Sequence, residues 1–428
     1  MRFEEALNWL SKHQFHGIKP GLERIREILA RLKEPHLRYP TVHISGTNGK
    51  GSTAAFLESI LRQHGLKTGL YTSPHLISVC ERFVINGNPI SEEKFAELTS
   101  KVKKALGASP ATYFELTTAI AFLAFAEEEV DIAVIECGLG GRLDATNVIY
   151  PEVSIVTSIS FDHEFYLGNT LSSIAFEEAD IIKPQRPAVT CWQKEEAMKV
   201  IEEIAFKRNS PLYVKGKLFD AFPQNGTVLY KGKNYFSGLK PSLKGRHQLD
   251  NLSLAIKAAE LLEENKHLNL KAEKLKEAIA NTFWPGRFEI FEFSPPVILD
   301  GAHNEDGIRI LKTALADYGI EEYALIFGAS NEDKTKPFVK MLSMLLPKCR
   351  KLFICPPPGP RKPVSIEEWQ EKLKGFSLPP SFFSSSWEET LEKALVSRGD
   401  LPLVVAGSLY LVGHVRAYLK TKIEKQSR

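Results

Sequence analysis

The stretch His43 to Thr53 reads H-I-S-G-T-N-G-K-G-S-T and holds the residue types that grip a polyphosphate. Glycines 46, 49 and 51 let backbone amides approach closely and converge on one anion. The stretch lies where a strand-like run, Thr41 to Ser45, hands over to a helical pattern, Ser52 to His64. That pattern puts Ala54, Leu57 and Leu61 on one face, and Gly65 is a natural stop. A helix beginning there offers free N–H groups and the positive end of its dipole. Lys50 can then neutralise β- and γ-phosphate charge, and the Ser52 hydroxyl can reach Mg²⁺. The general pattern is G-x-x-x-x-G-K-[ST]. Here Ile44 stands where its first glycine would be, and Gly51 separates Lys50 from Ser52.

Further acidic and imidazole groups fall at strand ends. Glu136 closes the apolar run Asp131 to Glu136, and Asp162-His163 follow the run Val153 to Ser158. Such positions face the ligand crevice of a parallel sheet. Thr68 to Thr72 is another strand of this series. A second series predicts strands at Val297 to Asp300, Tyr323 to Phe327, Lys351 to Cys355 and Leu403 to Ala406. Helical patterns separate them, as at Asp306 to Tyr318 and Tyr410 to Lys422, and Pro356 to Pro360 reads as a stiff loop. Alternating strands and helices predict α/β architecture. The expectation is a P-loop-type, mostly parallel ATPase domain over 1–288 and a smaller Rossmann-like α/β domain over 289–428, with the boundary near 285–296.

Of 428 residues, 43% are hydrophobic and 25% charged, the composition of a globular chain and not of a disordered, collagen-like or disulfide-built one. A net charge of +3 is too mild to argue for nucleic acid. Small anionic ligands fit instead. The five cysteines, at 80, 137, 191, 349 and 355, have no zinc spacing and read as buried reduced thiols of a cytoplasmic protein. The N-terminus lacks a signal-peptide core, and the most apolar stretch, Thr117 to Ala126, runs into Glu127-Glu128-Glu129. It is well short of the roughly 20 residues that cross a bilayer. No membrane or nucleic-acid partner is expected, and the chain is expected to be a monomer.

The variant phosphate loop resembles that of the Mur ligase superfamily, in its folylpolyglutamate synthase/dihydrofolate synthase branch. The resemblance continues through Y-T-S-P-H-L (71–76), E-R-F-V-I-N-G (81–87), T-Y-F-E-L-T (112–117) and I-E-C-G-L-G-G-R-L-D-A-T-N (135–147). It extends over D-H-E-F-Y-L-G (162–168), H-Q-L-D-N (247–251), W-P-G-R-F-E (284–289), L-D-G-A-H-N (299–304) and G-S-L-Y-L (407–411). One such match is weak. Ten in the family's order are specific.

The resemblance implies an ATP-dependent amide ligase that adds L-glutamate to dihydropteroate, to tetrahydrofolate, or to both. The acid would attack the γ-phosphate of ATP, and glutamate's amine would then displace phosphate from the acyl phosphate. By the same resemblance, ATP would meet Thr47, Asn48, Gly49, Lys50, Gly51, Ser52, Asn251, Arg287 and Asp300. Two Mg²⁺ ions would be held by Ser52, Ser73, Glu136, His163 and Glu178. Imidazole is an unusual magnesium ligand, so the role of His163 comes from the resemblance alone. Lys50, Glu136, His163 and Glu178 would carry the chemistry. Thr112, Tyr113, Phe114, Glu115, Arg142, Leu143 and Asp144 would hold the pterin acid, and His303 and Ser408 the incoming glutamate. Some of these residues also have plainer explanations. Asn251 could be a helix N-cap, Tyr113 and Phe114 could be helix core, and Gly328 to Lys334 could be a cleft loop or a polar turn.

Two positions depart from the family. Its usual E-K-A-G-I, with a lysine carbamylated by CO₂, reads Glu177-Glu178-Ala179-Asp180-Ile181 here. Glu178 presents a carboxylate directly and would take over the carbamate's work, unless it is an exposed helix residue. Lys19 stands where an acidic residue of the pteroate site is expected. A cell-wall Mur ligase, a P-loop kinase or switch, and a non-catalytic binder are the rivals.

Overall fold

The computed structural model describes residues 1–13, 20–331 and 336–426. Lys19, and residues 332–334 of the expected loop at 328–334, lie outside them. The described chain divides into two compact units. The first holds residues 1–160, 169–242 and 248–283, and the second holds 161–168, 243–247 and 284–428.

The first unit is built on eight strands: β1 (Thr41–Ser45), β2 (Thr68–Tyr71), β3 (Phe83–Ile85), β4 (Asn88–Pro89), β5 (Ile132–Glu136), β6 (Val153–Val156), β7 (Ala188–Thr190) and β8 (Leu212–Val214). Their order is β4-β3-β2-β5-β1-β6-β7-β8. Every pairing from β2 to β8 is parallel, and β3 and β4 form an antiparallel edge. All five residues of β1 and of β5 are buried, as a parallel sheet covered on both faces requires. β1 is central, and Ile44 pairs with Glu136 on one side and Ile155 on the other. The residues after β1, β5 and β6 therefore leave one edge of the sheet side by side.

Helix α1 (Lys50–Gln63) starts two residues before the sequence predicts. Its cap, Gly49, is left-handed at φ +92°, so the chain enters the helix at once. Helix α2 (Tyr113–Glu127) contains the apolar stretch 117–126, buried all round as a core helix. Helix α3 (Leu171–Ala179) carries Glu178, and α4 (Gln248–Glu264) packs on α1. A three-stranded antiparallel sheet, β9 (Asp220–Gln224), β10 (Thr227–Lys231) and β11 (Tyr235–Leu239), was not anticipated. Its signal was the dipeptide Asn225-Gly226, both residues at positive φ, which makes a two-residue hairpin.

The second unit orders its strands β12-β13-β17-β14-β15-β16. These are β12 (Glu289–Phe291), β13 (Val297–Leu299), β14 (Tyr323–Phe327), β15 (Cys349–Ile354), β16 (Ser381–Phe383) and β17 (Leu403–Ala406), parallel except for edge strand β12. Alternate residues feed two separate cores. Ile298, Leu325 and Val404 join one, and Val297, Ala324 and Val405 join the other. Helices α5 (Glu305–Asp317) and α6 (Leu409–Gln426) follow β13 and β17. All five cysteines are free and buried. No helix among the described residues is long and apolar enough to cross a membrane.

Candidate active site

The phosphate loop is clamped at Thr47 and Asn48. Thr47 N–H donates to Ser158 O at 2.9 Å, Thr47 Oγ1 and Ser160 exchange two 3.0 Å bonds, and Ser158 Oγ donates to Asn48 O at 3.2 Å. Gly46 sits at φ +123°, where a Cβ would lie 2.2 Å from Thr157 Oγ1. At Gly49 a Cβ would lie 2.4 Å from Asn251 Oδ1. Both glycines are thus required for space as well as for conformation. The first intrahelical bond of α1 runs from Thr53 N to Gly49 O, so the amides of Lys50, Gly51 and Ser52 lie ahead of it. Lys50 Nζ folds back onto Gly46 O at 2.5 Å and Thr47 O at 3.3 Å.

Glu178 is 2% exposed, which rules out a solvated helix glutamate. Its Oε2 accepts from Gly46 N–H at 2.8 Å, and its backbone oxygen accepts from Ser45 Oγ at 2.8 Å. Burial pushes its carboxyl above the ordinary range, against the pull of the Lys50 charge and the Gly46 amide. The neighbouring Glu177 oxygen takes the Gly141 and Arg142 amides at 2.8 Å each. At Gly141 a Cβ would stand 2.7 Å from Glu178 O. The loop after β5 and the turn around Glu178 are therefore pressed together.

Beside this loop, Glu136 Oε2 accepts from Ser73 N–H at 2.9 Å. Ser52 is buried, and its hydroxyl accepts from Gln248 Nε2 at 3.4 Å. Asn251 is not an N-cap. Helix α4 begins three residues earlier, at Gln248, and the Asn251 amide bonds Gln248 Oε1 at 2.9 Å and Thr53 Oγ1 at 3.4 Å. It locks α4 onto the start of α1.

Most residues expected at the pterin end are engaged within the first unit. Thr112 and Glu115 form a capping box on α2, with bonds of 3.2 and 2.7 Å, and Arg24 Nε reaches Glu115 Oε1 at 2.9 Å. Tyr113 and Phe114 pack partly buried against the core, and the Phe114 ring fills the space over Gly138. Arg142 pairs with Glu177 at 2.8 Å, and Leu143 is half-buried between it and Asp144. Asp144 collects the amides of Gly138, Leu139 and Thr146 at 2.9, 3.0 and 3.0 Å, plus the Thr146 hydroxyl. Asp144→Ala leaves those donors unpaired and should lower stability by about 2–4 kcal/mol. A thermal melt should show this as a fall of several degrees. An unchanged melting temperature would mean the carboxylate is not what holds the loop.

Asp162 and His163 belong to the second unit. Asp162 Oδ2 accepts from Asn304 Nδ2 at 2.8 Å and lies 3.6 Å from His303 Nε2. Burial acts to raise its carboxyl, yet His163, His303 and Lys336 together hold it well below the usual carboxylate range. His163 takes a left-handed φ of +51°, an uncommon conformation for a non-glycine residue. Asp300 accepts the amides of Phe288 (2.9 Å) and Ala302 (2.8 Å). A Cβ on Gly301 would stand 2.9 Å from Arg287 Nη1. His303 Nδ1 is 2.7 Å from Gly301 O, and burial drives the ring's pKa down to about 3. Ser408 immediately precedes α6, its backbone oxygen accepting from Val412 N–H at 3.1 Å. Gly407 N–H to Ala302 O, at 2.9 Å, ties its loop to that of His303.

The structure thus brings Lys50, Ser52, Ser73, Glu136 and Glu178 to one sheet edge, and it gathers Asp162, His163, Asp300 and His303 in the other unit. Among the described residues no three His, Cys, Asp or Glu side chains group at ligating distance. Serine hydroxyls and single carboxylates nonetheless suit Mg²⁺, which takes one or two carboxylates and completes its shell from phosphate and water. Gln193 went unremarked in the sequence. It braces the loop from Ile159 N–H (3.0 Å) and Thr157 O (2.8 Å), a pairing that nothing local signals.

A parallel ATPase unit with this loop, followed by a second parallel α/β unit, defines a Mur-type ligase. Residues 44–259 match the Mur ligase middle domain, and residues 286–409 match the Mur ligase glutamate ligase domain. The chain is 34% identical to the dihydrofolate synthase/folylpolyglutamate synthase of Bacillus subtilis, over 98% of this chain and 99% of that protein. A solved folylpolyglutamate synthase of Thermotoga maritima is 36% identical with a TM-score of 0.85, covering 98% of this chain and 97% of that one. The E. coli FolC structure in complex with DHPP and ADP superimposes with a TM-score of 0.88 at 28% identity, over 99% and 98% of the two chains. The chain belongs to the folylpolyglutamate synthase/dihydrofolate synthase family of ATP-dependent ligases.

Proposed function

We propose that this chain joins L-glutamate to dihydropteroate, to tetrahydrofolate, or to both, through an acyl phosphate. The observation that carries the proposal is the loop itself: a clamped cradle with Lys50 at its mouth and a buried carboxylate, Glu178, on the Gly46 amide. The relatives support the substrate class, since the B. subtilis protein is named for both synthase activities and FolC was solved with DHPP and ADP.

The phosphates of ATP lie over the amides of Lys50, Gly51 and Ser52, with Lys50 swinging from the loop carbonyls to the β- and γ-oxygens. The substrate carboxylate attacks the γ-phosphorus, ADP leaves, and the amine of glutamate then displaces phosphate from the acyl carbon. Mg²⁺, when bound, offsets the negative charge that two approaching anions build up. Ser52, Ser73 and Glu136 would hold one ion, and Glu178 and His163 a second. Asn251, Arg287 and Asp300 would serve the nucleotide, His303 and Ser408 the glutamate, and Tyr113 and Phe114 would line the pterin end. The protein would work as a cytoplasmic monomer. Purified protein given ATP, Mg²⁺ and glutamate should release ADP only when dihydropteroate or tetrahydrofolate is added. Release with UDP-muramyl substrates instead, or with no acceptor at all, would overturn the proposal.

A further inference from the structure

We propose that Arg82 anchors a carboxylate of the pterin-linked acid in the first unit. This rests on the function proposed above, because it takes the ligand to be such an acid. Arg82 ends a short turn, Val79–Arg82, on the loop that leaves β2. Its backbone oxygen accepts from Thr72 N–H at 3.2 Å, one residue before Ser73 and its bond to Glu136. The residue is 6% exposed. Its Nε donates to His75 Nδ1 at 2.9 Å, and the guanidinium carbon lies 5.4 Å from the centre of the Tyr113 ring.

No carboxylate among the described residues pairs with this cation. The adjacent Glu81 is spent on the amides of Leu76, Ile77 and Ser78. The two other buried arginines among the described residues are both held. Arg416 pairs with Glu289 at 2.8 Å. Arg398 holds two carbonyls instead. A guanidinium buried without an anion is costly to keep. His75 does not relieve that cost. Its Nδ1 accepts the hydrogen bond from Arg82 Nε–H, which orients the fork but brings no negative charge to it.

The free edge of an oriented guanidinium matches a carboxylate in two parallel hydrogen bonds. The neighbouring surface suits an aromatic acid. Tyr113 lies under the cation, and the Phe114 ring stands 6.1 Å from that of Tyr71. A flat aryl group can lie beside the partly buried Tyr113 and Phe114 while its carboxylate, or that of an attached glutamate, reaches Arg82.

The test is calorimetric binding of dihydropteroate, tetrahydrofolate and a decarboxylated pterin–aniline analogue to the wild type, Arg82→Gln and Arg82→Lys. Arg82→Gln should weaken at least one acid tenfold or more, leaving the analogue and a non-hydrolysable ATP analogue within twofold. Arg82→Lys, which keeps the charge but not the fork, should fall between. Loss confined to tetrahydrofolate assigns the glutamyl carboxylate, and loss for both acids assigns the reacting end. Equal loss for acid and decarboxylated analogue, or a parallel loss of nucleotide binding, makes Arg82 structural and overturns the inference. So does no loss at all. If the wild type binds neither acid, the proposed function fails first, and the inference falls with it.

Discussion

Lys50→Ala is expected to cut glutamate-dependent ADP release about 10²–10³-fold, the effect of removing one preorganised charge from a phosphate in transit, about 2.7–4 kcal/mol. The lysine sits at the first position of α1, with its ammonium on Gly46 O and Thr47 O. Those carbonyls belong to a loop clamped by Ser158 and Ser160, so the loop keeps its shape when the side chain goes. The loss should therefore appear in turnover and in nucleotide affinity, with little change in melting temperature. Lys50→Arg should not rescue it. The guanidinium is a broad fork where the cradle has room for a compact point charge. Single-turnover ADP formation together with calorimetric ATP binding separates the two contributions. Activity within threefold of wild type would remove the loop from the mechanism.

Glu178→Gln is expected to lower kcat by at least about 10²-fold, since it removes a charge from a water-poor site. Glutamine keeps an oxygen for the Gly46 amide, so the 2.8 Å bond can survive and only the charge is lost. Added bicarbonate should not restore activity, because no amine is present to form a carbamate. The stability effect should run the other way. Burial raises the folded-state pKa of Glu178 above its unfolded value. The folded chain therefore holds this proton more tightly, and stability is lost as pH rises through the window between the two values. At neutral pH the wild type carries that cost and the glutamine variant does not. The variant should melt at or above the wild-type temperature while turning over far more slowly. An unchanged kcat would mark Glu178 as a remnant of the family motif. A large fall in melting temperature would mark it as a structural clamp.

The two variants probe groups of opposite legibility. Lys50 could be read directly, because three glycines and a lysine at a strand-to-helix junction interact with their immediate neighbours. The strand limits at Tyr323–Phe327 and Leu403–Ala406 were equally plain, since a doubly covered parallel strand reads as an apolar run, and Thr41–Ser45 was marked by the glycine loop that follows it. The start of α1 was missed by two residues because left-handed Gly49 admits the helix earlier than the apolar pattern shows. The hairpin at Asn225-Gly226 was legible and overlooked.

By itself, then, the chain's order of residues determined the elements, the nucleotide loop and, through motifs in series, the family. These depend on contacts within a few residues, where spacing alone decides. Tertiary structure decided which groups meet across distance. It brought Glu178 onto an amide 132 positions away, placed Asp162 with Asn304 across 142, and set Asn251 inside α4 against Thr53. It also turned T-Y-F-E into a helix cap and left Arg82 enclosed without an anion. Burial and pairing are properties of the packed chain. A residue's charge can be read from its letter, but whether that charge is offset depends on what the fold packs around it.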